Sequence, residues 1–305
     1  MSSVLVERLI SSSKTRHLVL AIIIGLSIGW HNYNTLDFKD AWEKQARFYE
    51  QLIWRAPSMK PGTPIIANEE ILGYMGEYPT SFGINTMYET KQITQVPLWF
   101  FVLSGNYSTG TNHAPSGEEV IAHKATTTFL GKKENALYIT YQPSNNQCLW
   151  VLRPEDADYK YLPAELKAGV QSSDNATIQP EAGEHTLYHQ IVKEDKNTWC
   201  YFFQKAELAR QVGDSKEVVD LWQEAESKGF HPGNGFEYIP YIEGYARVGK
   251  WEEAFSLTKT ANKFTKGMYF ILCPTWKRLE QETAFSSDKD SYIKKVYDVL
   301  SCNSN

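Results

Sequence analysis

The hydrophobic and polar positions divide the chain into stretches with different rhythms. The longest apolar run is residues 18–30, Leu-Val-Leu-Ala-Ile-Ile-Ile-Gly-Leu-Ser-Ile-Gly-Trp. Helical rise is ~1.5 Å per residue, so the run covers about 20 Å of a hydrocarbon layer roughly 30 Å thick. Three readings are open: an uncleaved membrane anchor, a signal peptide and a buried core helix. A cut after Gly29 would put the small residues Ser27 and Gly29 where a signal peptidase wants them. The apolar patch Val4-Leu5-Val6 upstream and the bulky Trp30 downstream favour the anchor. Trp30, His31 and Tyr33 make an interfacial belt that lengthens it. Arg8, Lys14 and Arg16 precede the run, opposed only by Glu7, and Asp37, Asp40 and Glu43 follow it. The positive-inside rule then keeps the N-terminus cytoplasmic and places residues from about 31 onward outside.

Helical spacing returns at Phe38, Trp42, Phe48, Leu52 and Ile53. Asp40 with Glu43 three residues on is a capping-box pattern. A juxtamembrane helix is therefore expected over 39–54, ended by Ala56-Pro57. The rhythm then shortens. Strands are expected at 64–68, 96–103, 126–130, 136–142 and 147–152, most of them antiparallel, with 126–130 and 136–142 as a hairpin. A short helix fits 81–88, and 104–118 reads as a loop. Residues 154–197 are polar and turn-rich, a linker with one strand at 186–192. From Thr198 the pattern is helical: 199–212, 215–228, 236–248 and 251–264, then 274–284 and 288–301.

The two helical pairs repeat. ARQVGDSKEVVDL aligns with ARVGKWEEAFSL with one residue omitted, and Gly213 and Gly249 are 36 positions apart. That period, with Ala206, Ala209, Gly244 and Ala246 at the crossings, resembles a tetratricopeptide-type repeat. The expected fold class is α+β: an N-terminal membrane helix, a small mixed domain and a C-terminal domain of TPR-like helical hairpins. The expected divisions are 1–35 (tail and anchor), 36–61 (juxtamembrane helix and turn), 62–153 (α+β domain), 154–197 (linker) and 198–305 (helical domain).

Composition narrows the function classes. A net charge of −5 over 305 residues gives no footprint for nucleic acid. Aromatics make up 13% of the chain, which suits cores as well as carbohydrate or protein contacts. Cys148, Cys200, Cys273 and Cys302 have no C-x-x-C spacing, which argues against a zinc site. Buried thiols are the expectation, with a Cys200–Cys273 disulfide as the alternative that an oxidising compartment permits.

Candidate chemistry is thin. His185 and His189, after Glu184, have i, i+4 spacing but sit in an expected strand, so no metal is assigned. Glu69-Glu70 and Glu118-Glu119 are adjacent carboxylates, which read as solvated surface. His113 and His123 flank the loop carrying Ser104, Ser108 and Ser116, without a G-x-S-x-G elbow or a phosphate-loop glycine pattern. Asn106-Tyr-Ser and Asn175-Ala-Thr are sequons. No catalytic residue, metal or cofactor is assigned. The candidate binding surface is the aromatic set Tyr201, Trp222, Tyr238, Tyr241, Tyr245 and Trp251 on the helical repeats.

Four stretches carry a family resemblance: WRAPSMKPGTPIIANE, CLWVLRPED, WCYFFQKAELARQVGDSKEVVDLWQEA and IEGYARVGKWEEAFSLT. With the span before them, they resemble the C-terminal outer part of large multi-spanning bacterial membrane proteins. Those proteins are related to lipid-linked-sugar glycosyltransferases of the GT-C type, and the resemblance covers about 15–285. In such transferases the acidic catalytic residues lie on an outer loop near the N-terminus, among many spans. No position here matches that loop, so no catalytic residue is carried over. The expected function is a single-pass, membrane-anchored extracytoplasmic protein. It would hold lipid through residues 18–30 and a protein partner through the helical repeats. The alternative is an accessory or detached outer domain of a membrane glycosyltransferase that contacts glycan or a polyprenyl-linked sugar.

Overall fold

The computed structural model describes residues 11–68, 70–91, 94–103, 119–142, 147–171, 173–181, 183 and 185–302. These are mixed helix and strand, with an N-terminal helix and a C-terminal helical region. The chain divides into two compact units, Met1–Ala46 and Arg47–Asn305.

Helix α1 runs Ser13–Arg55 without a break. The separate juxtamembrane helix expected from residue 39 is thus the continuation of the one that carries 18–30. No proline stands between Ser13 and Arg55 to interrupt the hydrogen-bond ladder, and Pro57 lies just past its end. In the first unit Leu18, Ile22, Ile24, Leu26, Ile28 and Trp30 are all exposed. Among the described residues no helix is long and apolar enough to cross a membrane. In the second unit the last turns of the helix, Phe48–Arg55, are wholly buried.

Among the described residues of the second unit there are nine short strands in three sheets. They are β1 (Ser58–Met59), β2 (Thr63–Ala67), β3 (Gln95–Val96), β4 (Leu98–Val102), β5 (Glu119–Lys124), β6 (Thr127–Lys132), β7 (Leu137–Thr140), β8 (Trp150–Val151) and β9 (Ile178–Gln179). The central sheet has the order β4-β2-β7-β8, and β2 is parallel to both β4 and β7. The antiparallel expectation is corrected here. β2, β4 and β7 are continuous apolar runs rather than alternating ones, which is the pattern of parallel strands covered on both faces. The expected hairpin of 126–130 with 136–142 is also absent: β6 pairs with β5, and β7 with β2 and β8.

Helix α2 (Glu77–Met87) connects β2 to the β3–β4 segment and closes the outer edge of the sheet. Its Asn85 donates to the Leu98 carbonyl at 2.7 Å and accepts from the Leu98 N–H at 3.3 Å. Ser81 Oγ accepts from the Phe100 N–H at 2.9 Å. Side chains thus satisfy a strand edge that would otherwise stay open. β8 is shorter than the expected 147–152 because side chains take the backbone of residues 148 and 149. The Cys148 N–H donates to Glu237, the Leu149 N–H to Gln51, and the Leu149 carbonyl accepts from Gln204.

Residues 154–197 contribute α3 (Ala164–Val170) and α4 (Thr186–Ile191), and place Leu162, Leu166, Val170, Ile178 and Tyr188 in the interior. The strand expected at 186–192 is a helix followed by one extended residue. Tyr188 and Val192 are the buried positions of that stretch, and a spacing of four belongs to a helix rather than a strand.

Six helices complete the unit: α5 (Trp199–Gln211), α6 (Ser215–Ser227), α7 (Ile239–Arg247), α8 (Trp251–Phe264), α9 (Tyr269–Glu282) and α10 (Ser287–Leu300). The repeated turns end α5 and α7 in the same way. Gly213 and Gly249 both sit at φ +81°, where a Cβ would be strained. Each is followed by an N–H that reaches back to the third residue from the helix end, Asp214 to Ala209 and Lys250 to Tyr245, both at 2.9 Å. This is the Schellman closure. α7 starts at Ile239 rather than 236, because Asn234 caps a 3₁₀ turn and Pro240 opens the α-helix. α9 starts at Tyr269 rather than 274. Pro274 reads as a helix start, yet here it lies inside the helix.

The cysteines form two disulfides, Cys148–Cys200 and Cys273–Cys302, with Cα separations of 5.4 and 5.6 Å. Both expectations, buried thiols and a Cys200–Cys273 bridge, are corrected. Cys273 lies in α9 and Cys302 just past the end of α10, and the α9–α10 turn brings them together. One hydrophobic cluster runs from Ile66, Phe129 and Tyr138 through Leu166 to Phe202, Tyr241 and Trp276.

Candidate functional site

The six aromatic residues read as a binding surface do not form one. Tyr241 is fully buried, and Trp222, Tyr238, Tyr245 and Trp251 are between 5% and 7% exposed. Trp222 packs against Trp199, Tyr238 and Tyr241, and Trp251 against Trp276. Tyr201 is half-buried, edge-on to Trp54 at 5.2 Å. Large rings at helical spacing fill the space between consecutive helices, and that burial is their role.

The other candidates are dispersed. His185 is buried between two carbonyls, with Nε2 2.8 Å from Pro57 O and Nδ1 3.3 Å from Met87 O. His189 is exposed one turn on. His123 is on β5, 3.0 Å from Thr128 Oγ1. Glu70 and Glu119 are exposed. Glu69, Ser104, Asn106, Ser108, His113, Ser116, Glu118 and Glu184 lie outside the described residues. Among the described residues no cluster of His, Cys, Asp and Glu could hold a metal.

The structure instead concentrates charge where α5, α7, α9 and the segment after β8 meet. Glu243, 3% exposed, is the hub. Its Oε1 accepts from Arg210 Nη1 at 3.1 Å and Arg278 Nη2 at 2.5 Å, and lies 4.0 Å from Arg153 Nη2. Arg210 also donates to Glu207 at 2.5 Å. Arg153 Nε donates to Glu155 at 3.1 Å, and Arg278 Nη1 is 3.7 Å from the same carboxylate. Arg247 pairs with Glu282 at the rim. All of these but Glu207 line a cleft of about 370 Å³. Arg153 is oriented by its own turn: Asp156 Oδ2 accepts the Arg153 N–H at 2.8 Å.

Burial alone would push the Glu243 carboxyl up, but Arg210, Arg153, Arg278 and Arg247 hold it below the usual carboxylate range. Glu155 is likewise held low, by Arg153 and Arg278 against its burial. Asp156 goes the other way. Burial pushes it up to about 7, with Arg153 opposing.

A second cavity of about 330 Å³ adjoins the first and shares Arg153, Glu155, Arg210 and Gln211 with it. Arg55, the last residue of α1, lines it and is 1% exposed. Its Nη1 donates to Gln211 Oε1 at 2.8 Å. Its Nε and Nη2 have no acceptor among the described residues. Burial pushes the Arg55 guanidinium down to about 10. The sequon residue Asn175 also lines this cavity, with Nδ2 buried.

The site is not among the candidates expected from the sequence, but two sequence features point to it. Arg210 and Arg247 occupy equivalent positions in the two repeats, just ahead of each glycine turn. Glu207 and Glu243 stand one helical turn before them, where i, i+3 and i, i+4 pairs meet. Segments far apart in the sequence converge here through Arg55, Arg153, Arg210 and Glu243. Chemically, such a site can hold an oxyanion or an acidic side chain. Comparison of the chain with family models, with curated proteins and with solved structures returns no match.

Proposed function

We propose that this is a membrane-anchored binding protein whose Arg47–Asn305 unit works on the outer, oxidising side of the membrane. The observation that carries the reading is the exposed apolar run of α1. Leu18, Ile22, Ile23, Ile24, Leu26 and Ile28 are exposed on all sides of the helix, with no charge among them. A helix that is apolar all round belongs in a core or in lipid. Trp30 and Tyr33, about 64% exposed, suit the headgroup layer and extend a run that covers about 20 Å. The two disulfides favour the oxidising side.

The helical segment from Trp199 onward supports a binding role. Its 36-residue period and its paired helices with equal glycine turns suit TPR-like hairpins that take a protein partner, with the arginine cleft as the recognition element. Binding is favoured over chemistry because Glu155, Glu207, Glu243 and Glu282 are all committed to arginines. The test is topological. Protease added to intact cells should remove the Arg47–Asn305 unit and leave an N-terminal tag protected. A unit protected until the cells are broken would overturn the reading.

A further inference from the structure

The cavity beside the cleft contains more hydrogen-bond donors than its acceptors use. Arg55 carries two guanidinium nitrogens, Nε and Nη2, with no acceptor among the described residues. Arg210 carries a third at Nε, and Asn175 a fourth at Nδ2. All three residues line the same volume of about 330 Å³. The carboxylates around it are already engaged: Glu207 with Arg210, Glu155 with Arg153, and Asp174 with the Ala176 N–H at 2.9 Å. Glu207 offsets the Arg55 charge through space, but a buried donor without an acceptor costs more than a made hydrogen bond returns. Four such donors on one cavity do not survive readily in a site whose only role is packing.

We infer that this cavity is a binding site for a phosphate group, with Arg55, Arg210 and Asn175 as its donors. The donors come from three separate elements: the end of α1, the end of α5 and the turn Asn175–Thr177. A tetrahedral oxyanion presents oxygens in several directions, whereas a planar carboxylate presents two in one plane. Arginine suits the task because its planar fork can meet two phosphate oxygens at once. The volume lies at the lower end of small-molecule pockets, which fits a phosphate with a small substituent. The lining charges balance, with Arg55, Arg153 and Arg210 against Glu155, Asp174 and Glu207. The group is therefore held by hydrogen bonds more than by net field, and affinity should fall only modestly with added salt. The inference does not depend on where the chain sits, so it stands or falls apart from the anchor.

The test is titration calorimetry and thermal shift on the full-length chain in detergent, with inorganic phosphate, glycerol 3-phosphate and acetate as probes. Saturable 1:1 binding of either phosphate probe is expected, with a rise in Tm. A preference for glycerol 3-phosphate would assign a phosphate ester, and a preference for inorganic phosphate the free ion. Arg55→Met should weaken binding at least about tenfold, a loss of about 1.4 kcal/mol. Arg55 is buried, so two further variants guard against misfolding. Asn175→Leu, at a half-buried position, and Ala176→Trp, at an exposed position on the cavity wall, should both weaken binding while the far-UV spectrum is unchanged. Absence of saturable phosphate binding would overturn the inference. So would equal binding of acetate, or binding untouched by all three variants.

Discussion

Glu243→Gln is the sharpest perturbation of the charge hub. It keeps the size and shape of the side chain and removes its charge. Glu243 is 3% exposed and serves Arg210 at 3.1 Å, Arg278 at 2.5 Å and Arg153 at 4.0 Å. At an effective dielectric of about 20, a unit pair 3.1 Å apart attracts by about 5 kcal/mol. Two such contacts exceed the several kcal/mol needed to take the carboxylate out of water. Without that charge, three guanidinium groups share a low-dielectric site with Glu155 and Glu207 alone. Breaking one side of a buried pair typically costs about 3–5 kcal/mol, and that is the loss expected here. Urea unfolding at neutral pH should show a lower midpoint at unchanged slope. Tm should fall by roughly 6–20 °C. Glu282→Gln, whose carboxylate is 45% exposed in its pair with Arg247, is the control and should cost about 0–1 kcal/mol. Raising the salt to about 1 M should erase the small effect and leave the large one, since buried pairs are poorly screened. A Glu243→Gln loss no larger than that of Glu282→Gln would refute the hub.

Three further outcomes follow from the same structure. Reduction of the disulfides should destabilise the Arg47–Asn305 unit by about 2–5 kcal/mol, read as a drop in Tm on adding dithiothreitol; an unchanged Tm would argue against Cys148–Cys200 as a structural link. Trp251→Ala and Tyr241→Ala should each cost about 3–5 kcal/mol of stability by opening cavities in the core, measured by denaturant unfolding; wild-type stability would return these rings to the list of contact residues. Asp156 and Glu77 are both raised to about 7, chiefly by burial. For an acid whose folded pKa is raised, the stability is present below the unfolded pKa and is lost as pH rises through about 7. Glu243 and Glu155 are held low and lose theirs as pH falls below the usual carboxylate range. Stability should therefore peak at mildly acidic pH. Asp156→Asn should shrink the decline toward pH 8, and an identical pH profile would contradict the assignment.

Local patterning made the helical half of the fold legible, apart from the starts of α7 at Ile239 and α9 at Tyr269. The glycines at 213 and 249 mark left-handed turns that few other residues tolerate, and the apolar spacing on either side is regular. Long-range choices were not legible. The apolar runs of β2, β4 and β7 are compatible with any partner until the interior is known, and the antiparallel guess followed from short spacing alone. Sequence spacing likewise says little about which cysteines meet, because Cys148 approaches Cys200 only after the sheet and α5 pack. The charge hub needs Arg153, Arg210, Glu243 and Arg278 from four separated elements, so the Glu–Arg spacing within the repeats announces only part of it. The aromatic residues misled for a related reason. A Trp or Tyr at helical spacing looks the same whether it faces solvent or the next helix, and here Trp222, Tyr241 and Trp251 face the next helix.

The central claim is an apolar-anchored protein with its larger unit on the oxidising side. The most direct measurement is alkaline carbonate extraction of expressing cells, followed by intact mass after thiol alkylation without reduction. The account predicts the unalkylated chain in the alkali-resistant membrane pellet, with both disulfides intact. A chain released to the supernatant with all four cysteines alkylated would contradict it.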